Sequence, residues 1–233
     1  MRRNIAVPRA SMKFAVAAAA LAGGLALSAC GTVTMGAAAI TGSSRISQST
    51  LTSQVSDLSA AYAANHSKGI KPQRPVGQEA QQVLTWLILF RVYGQMAAQH
   101  NISVTTEQSE QALNTYAAQA KQSKLNLAEY WSAGGALPPD LLPQLGQAVA
   151  IQNVLIGQLD GGKAPTTTAG QSAITSQLTH YECVAAKSLG VTVNPQYGEF
   201  DYKGFQVVPA PPTLAADPNP TPSATPVQLQ PHC

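Results

Sequence analysis

Charged side chains are scarce in this chain. Asp, Glu, Lys and Arg together make up 11% of 233 residues, less than half of the roughly 25% usual for a soluble domain. Aromatic residues account for 6%, and there are four histidines and three cysteines. These shortages close off whole classes of chemistry. His66, His100, His180 and His232 share no spacing that would gather them on a metal, and no two cysteines stand at zinc-ligand spacing. There is no His-Glu-x-x-His, no Gly-x-Ser-x-Gly, no Gly-x-Gly-x-x-Gly and no phosphate-binding loop. The few carboxylates are scattered, with Glu107 and Glu110 placed as favourable charge in the first turn of a helix. The sequence therefore predicts a protein without enzymatic activity, cofactor or metal. A hydrolase would need the fold to bring His100 or His180 beside a carboxylate.

What is present begins with an export signal. Residues 1–13 carry Arg2, Arg3, Arg9 and Lys13, and residues 14–27 are almost wholly Ala, Leu, Gly and Val. A basic start, a short apolar core and small residues at its end predict a segment, 1–29, that is removed from the mature chain. The run closes on Leu27-Ser28-Ala29-Cys30-Gly31. This order resembles the lipobox of bacterial lipoproteins, in which the cysteine thiol is diacylated and the chain is cut just before it. The resemblance implies that Cys30 is the lipidated first residue, with Leu27, Ser28, Ala29 and Gly31 as its recognition context. It also implies anchoring to the outer face of the cytoplasmic membrane. Translation from Met12 rather than Met1 would give a signal of more usual length.

Loss of residues 1–29 removes four of the fourteen basic side chains and leaves ten against eleven acidic ones. The formal charge of +3 thus belongs to the signal, and there is no electrostatic case for nucleic acid. What remains, about 200 residues, is enough to bury one good core. Beyond Cys30 lie Cys183 and Cys233. An exported location permits a disulfide, and two thiols allow one intramolecular pairing, Cys183 with Cys233. The alternative is Cys183 as a small buried apolar residue.

The stretch 78–100, QEAQQVLTWLILFRVYGQMAAQH, is apolar on more than one helical face. Val83, Leu87 and Phe90 form one stripe, while Leu84, Ile88, Val92 and Met96 form a second beside it. Other elements must therefore cover this helix on several sides. Its dense apolar part is about half of the roughly 20 residues a membrane span needs, and Arg91 sits inside it. A buried central helix is expected.

Around it, a short tether (30–36) leads to two brief extended pieces about Gly42-Ser43. Ser47 then caps a helix carrying Leu51, Val55, Leu58 and Tyr62 on one face. Thr105 and Gln108 stand at capping-box spacing before a third helix, whose weak face of Ala112, Leu113, Tyr116, Ala117 and Ala120 is expected to lie against the central one. A short helix at 127–132 precedes Gly134-Gly135. Asp140 is a candidate cap for a fifth helix running to 159, with Pro143 in its first turn. Residues 160–171 read as a linker. A helix from Ser172 to Leu189 follows, with Gly190 at its end, and strands are expected at 191–193 and 205–208. The Pro-rich segment 209–233 is expected to be disordered.

The order of these pieces carries a resemblance. Extended segments leading into Arg45-Ile46-Ser47 and a capped helix come first, followed by the apolar helix. Asn101-Ile102-Ser103-Val104-Thr105-Thr106-Glu107-Gln108 then opens the next helix, and a small helix and a long one complete the series. Over residues 37–159 this resembles the N-terminal chaperone module of the SurA and PrsA foldases. The block 172–208, with Val191-Thr192-Val193-Asn194-Pro195-Gln196-Tyr197-Gly198, looks like the piece that folds back onto that module. The whole is most similar to short SurA-like lipoproteins of actinobacteria. In the foldases a parvulin-type prolyl isomerase domain separates the two parts, whereas here the interval is residues 160–171. The resemblance thus implies a mainly α module of about six helices. Its minor strand component would come from N- and C-terminal segments, and it would have no isomerase activity.

The expected function is membrane-anchored, holdase-like binding of unfolded or newly exported polypeptides. Large adaptable side chains would supply the surface: Tyr93 and Met96 on the central helix, Tyr116 on the third, and Tyr130 and Trp131 before the glycine pair. Trp86 and Phe90 are expected mainly in the core. The other reading is an adaptor lipoprotein that binds one dedicated envelope partner.

Overall fold

A computed structural model of the chain describes residues 35–161 and 167–210. The order begins with a hairpin: β1 (Ala37–Thr41) turns through Gly42 and Ser43 into β2 (Ser44–Ser47). Gly42 has φ 59°, a left-handed conformation that glycine adopts without steric cost. β1 also pairs antiparallel with β3 (Thr192–Val193), which gives the strand order β2-β1-β3. Asn194 fastens this return, its backbone N–H donating to the Ala38 carbonyl at 2.9 Å and its Nδ2 to the Ala37 carbonyl at 3.1 Å. The N-terminal hairpin and the segment that follows the last helix thus share one small sheet.

Six α-helices make up the body: α1 (Gln48–Ser67), α2 (Glu79–Gln99), α3 (Thr106–Gln122), α4 (Leu127–Gly135), α5 (Leu142–Leu159) and α6 (Thr168–Leu189). The fold is mainly α with a minor strand component. Side chains start two of these helices, α1 and α3, as the sequence predicts. Ser47 Oγ accepts from the Thr50 N–H, and Thr105 and Gln108 form a complete capping box. Asn126 and Glu129 form a second one, not anticipated from the sequence, at the start of α4. α2 is the central helix: α1, α5, α6, β1 and a second hairpin all pack on it. Its Val83, Leu84, Ile88, Val92 and Met96 are wholly buried. They meet Leu51 and Leu58 of α1, Ile151 and Leu155 of α5, and Ala185 and Ala186 of α6 in one core.

That second hairpin joins β4 (Glu199–Asp201) to β5 (Gln206–Val208), where a single strand over 205–208 was expected. It is tied to α2 through Thr85, whose Oγ1 accepts from the Val207 N–H at 2.8 Å and donates to the Gln81 carbonyl.

Several expectations are corrected. α3 packs chiefly against α5 and α4 rather than the central helix. Gly146 explains this partnership. A Cβ there would stand 2.7 Å from the Ser109 carbonyl oxygen and 2.9 Å from Leu113 Cγ, so only glycine lets α5 approach α3 so closely. Asp140 does not cap α5. It lies in a 3-10 turn, Pro139–Leu141, that feeds directly into the helix, and its backbone N–H donates to Asp57 on α1. Gly134 and Gly135 belong to the last turn of α4 instead of following it. α6 begins at Thr168, four residues before Ser172, because Thr167 accepts from the Gly170 N–H and caps it there.

Candidate functional site

Between α2 and its neighbours the packing opens into a cleft of about 400 Å³. α2 lines it with Leu87, Phe90, Arg91, Tyr93 and Gly94, and α1 with Thr50 and Gln54. The far wall is Leu141 from the 3-10 turn and Gln144, Gln147, Ala148 and Ile151 from α5. Gly94 accounts for part of the opening, since a Cβ built on it meets nothing within 4 Å. Arg91 and Gly94 are three residues apart and so share one helical face.

The lining is of two kinds. Leu87, Phe90, Leu141 and Ile151 provide apolar contact, whereas three glutamine amides and a threonine hydroxyl provide hydrogen-bonding groups. Gln54 Oε1 is out of solvent contact and accepts no hydrogen bond among the described residues. The Gln144 amide, oriented by its hydrogen-bond pattern, donates from nitrogen to the carbonyls of Asp140 (3.3 Å) and Leu141 (3.2 Å). Its oxygen is then left as an acceptor. No Asp or Glu lines the cleft, and Arg91 is its one formal charge.

Tyr93 closes the cleft towards α6. Its hydroxyl donates to Glu182 Oε1 at 3.1 Å and accepts from Gln152 Nε2 at 2.7 Å, and the same Nε2 lies 3.2 Å from Glu182 Oε1. One half-buried triad thus links α2, α5 and α6. Burial, followed by the neighbouring Glu182 carboxylate, pushes the Tyr93 pKa well up, so the hydroxyl remains a donor. Burial also raises the Glu182 pKa, against the opposing hydrogen bonds from Gln152 and Tyr93.

On another side of α2 lies an aromatic cluster centred on Trp131. Tyr116, Tyr130 and Trp86 each meet it edge-on, at centroid distances of 5.0, 6.0 and 5.8 Å. Phe90 stacks on Trp86 at 5.8 Å. Trp86 Nε1 donates to the Gly135 carbonyl, which holds the end of α4 against the central helix. Phe90 belongs to both the cluster and the cleft.

The side chains expected to hold a client are therefore divided. Tyr93 lines the cleft. Met96 is entirely buried and packs in the core. Tyr116, Tyr130 and Trp131 form the half-buried aromatic cluster and do not line the cleft. The residues missed are the glutamines, Thr50, Arg91 and Gly94. A charge and a glycine one turn apart inside the densest apolar stretch were the signal that could have found them.

Cys183 is buried and disulfide-bonded. Cys30, its lipobox, the tether through 34, Cys233 and residues 211–233 lie outside the described residues, as do 162–166 of the expected linker. Lys68, from the basic loop after α1, pairs with Glu129 of α4 and, with the Asn126 backbone N–H, lowers the Glu129 pKa. His100 and His180 both pack their rings towards Tyr181. Among the described residues no group of three His, Cys, Asp or Glu side chains could hold a metal, and no helix is long and apolar enough to cross a membrane. Comparison with protein-family models, with curated proteins and with solved structures finds no match to this chain.

Proposed function

We propose that this chain is an extracytoplasmic lipoprotein, anchored through Cys30, that binds unfolded or newly exported polypeptide segments in the cleft between α1, α2 and α5 without covalent chemistry. The observation that carries the reading is the lining itself. An extended polypeptide presents apolar side chains together with backbone N–H and C=O groups that must stay hydrogen-bonded when buried. Leu87, Phe90, Leu141 and Ile151 match the first requirement, while Thr50, Gln54, Gln144 and Gln147 match the second. A volume of about 400 Å³ lies within the roughly 300–1,000 Å³ of ligand pockets, so it suits a few residues of a client rather than a folded domain. The acyl chains on Cys30, at about 0.8 kcal/mol per buried CH₂, would hold the cleft where exported chains emerge and raise its effective concentration there.

The dedicated-adaptor reading keeps its place because of the same lining. A general holdase is served by a broad, adaptable groove, whereas a cleft this small with several amides in its lining suits one defined sequence. Light scattering of an aggregating, chemically unfolded protein separates the two, using the mature chain with Cys30→Ser at near-equal molar amounts. Suppression for two unrelated clients supports the holdase. Absence of suppression for both moves the assignment to the adaptor, and the next step is capture of its envelope partner.

A further inference from the structure

Arg91 is exposed on α2 at the edge of the cleft. Among the described residues it makes no ion pair with a carboxylate. The acidic residues on adjacent turns, Asp57 and Asp140, are not part of the lining, and Asp57 already accepts the Asp140 backbone N–H. The cleft therefore combines an unopposed cation with an apolar floor and an amide acceptor, the Gln144 oxygen, on its rim.

Resting on the polypeptide-binding reading, we propose that the cleft is selective: its occupant is an extended segment carrying an Asp or Glu side chain next to an apolar residue. The guanidinium of Arg91 would take the carboxylate, Phe90 and Ile151 the apolar side chain, and the Gln144 amide oxygen a backbone N–H of the segment. An internal acidic side chain fits better than a C-terminal carboxylate. Capture of a chain terminus relies on a cluster of backbone N–H groups, and this cleft is walled by side chains of helices. Glutamines on both flanks, Gln54 on α1 and Gln144 and Gln147 on α5, also suit a chain that enters and leaves.

Fluorescence anisotropy with the Cys30→Ser mature chain tests this with three labelled apolar peptides: one with a single internal Glu, its Gln counterpart, and the Glu peptide with an amidated C-terminus. The contribution of an exposed ion pair predicts that the Glu peptide binds about two- to fivefold more tightly than the Gln peptide. That advantage should survive amidation, vanish in Arg91→Gln, and shrink at high salt. Gly94→Leu, which fills the cleft from open space, should weaken both peptides. Equal binding of Glu and Gln peptides, or a preference that persists in Arg91→Gln, would overturn the selectivity while leaving polypeptide binding intact. Loss of the preference on amidation would overturn it in favour of terminal capture, and unchanged binding in Gly94→Leu would overturn the location. Failure of every peptide to bind would overturn the parent reading as well.

Discussion

Glu182 stands in an environment that penalises its charge. Its pKa is raised above the ordinary 4.5 because burial disfavours the ionised form more than Tyr93 and Gln152 favour it. The folded protein therefore holds a proton on this side chain at pH values where the unfolded chain has released it. Stability from that proton is fully present below about pH 4.5 and is lost as pH rises through the folded value. Glu182→Gln removes the titration while leaving an amide oxygen to accept from Tyr93. Its urea midpoint, measured relative to the unmodified protein, should rise as pH increases above about 4.5 and level off once Glu182 is ionised in both states. A constant offset across that range would show that Glu182 does not titrate differently in the folded state. At this scale the sequence was least informative. Tyr93 and Met96 are both large residues on one helix, and only their neighbours decide that one lines a cleft and the other fills the core.

Two glycines in neighbouring helices show how position reverses the effect of one methyl group. Gly94 lies within α2 with open space beside it, so Gly94→Ala should stabilise the fold by about 0.5–1 kcal/mol through helix propensity alone. The added Cβ also intrudes on the cleft, so the same variant should raise the urea midpoint and weaken peptide binding together. Gly146→Ala should do the opposite to stability. Its Cβ would meet the Ser109 carbonyl at 2.7 Å, and forcing α3 away from α5 should cost about 1–3 kcal/mol, read as a lower urea midpoint. A Gly146→Ala variant as stable as the parent would show that the two helices adjust freely. Helix starts were legible in the sequence because Ser47 and the Thr105–Gln108 pair act within one turn. The partner of α3 was not, because its face of alanines and Tyr116 distinguishes poorly between neighbours, whereas Gly146 selects α5 by distance.

For the molecule as a whole, the bonding of Cys183 and the proposed anchor constrain each other. The chain has three cysteines, and Cys183 is disulfide-bonded. A Cys30 sulfur carrying diacylglycerol in thioether linkage has no thiol left to oxidise, so the expected partner in the lipidated protein is Cys233. Peptide mapping of the membrane-extracted protein without reduction should recover Cys183 linked to the C-terminal peptide. Recovery of a Cys30–Cys183 link would overturn both that pairing and lipidation of Cys30. Loss of the bridge in Cys183→Ser should lower stability by about 2–5 kcal/mol, seen in a urea titration of the Cys30→Ser background.

The sequence by itself determined the central helix, the caps at Ser47 and Thr105, the glycine stop at Gly190 and the mainly α class with its small strand component. Each follows from local spacing: apolar periodicity over consecutive turns, or a polar side chain within reach of an N–H two or three residues on. Only the tertiary structure decided that β1 lies between β2 and β3, that β4 pairs with β5, and that α3 lies on α5. It also decided that Thr50, Gln54, Arg91, Gln144 and Gln147 surround one space. Those arrangements join residues far apart in the chain. They depend on how closely backbones approach and which buried polar groups find partners, and neither quantity is written in the spacing of a single segment.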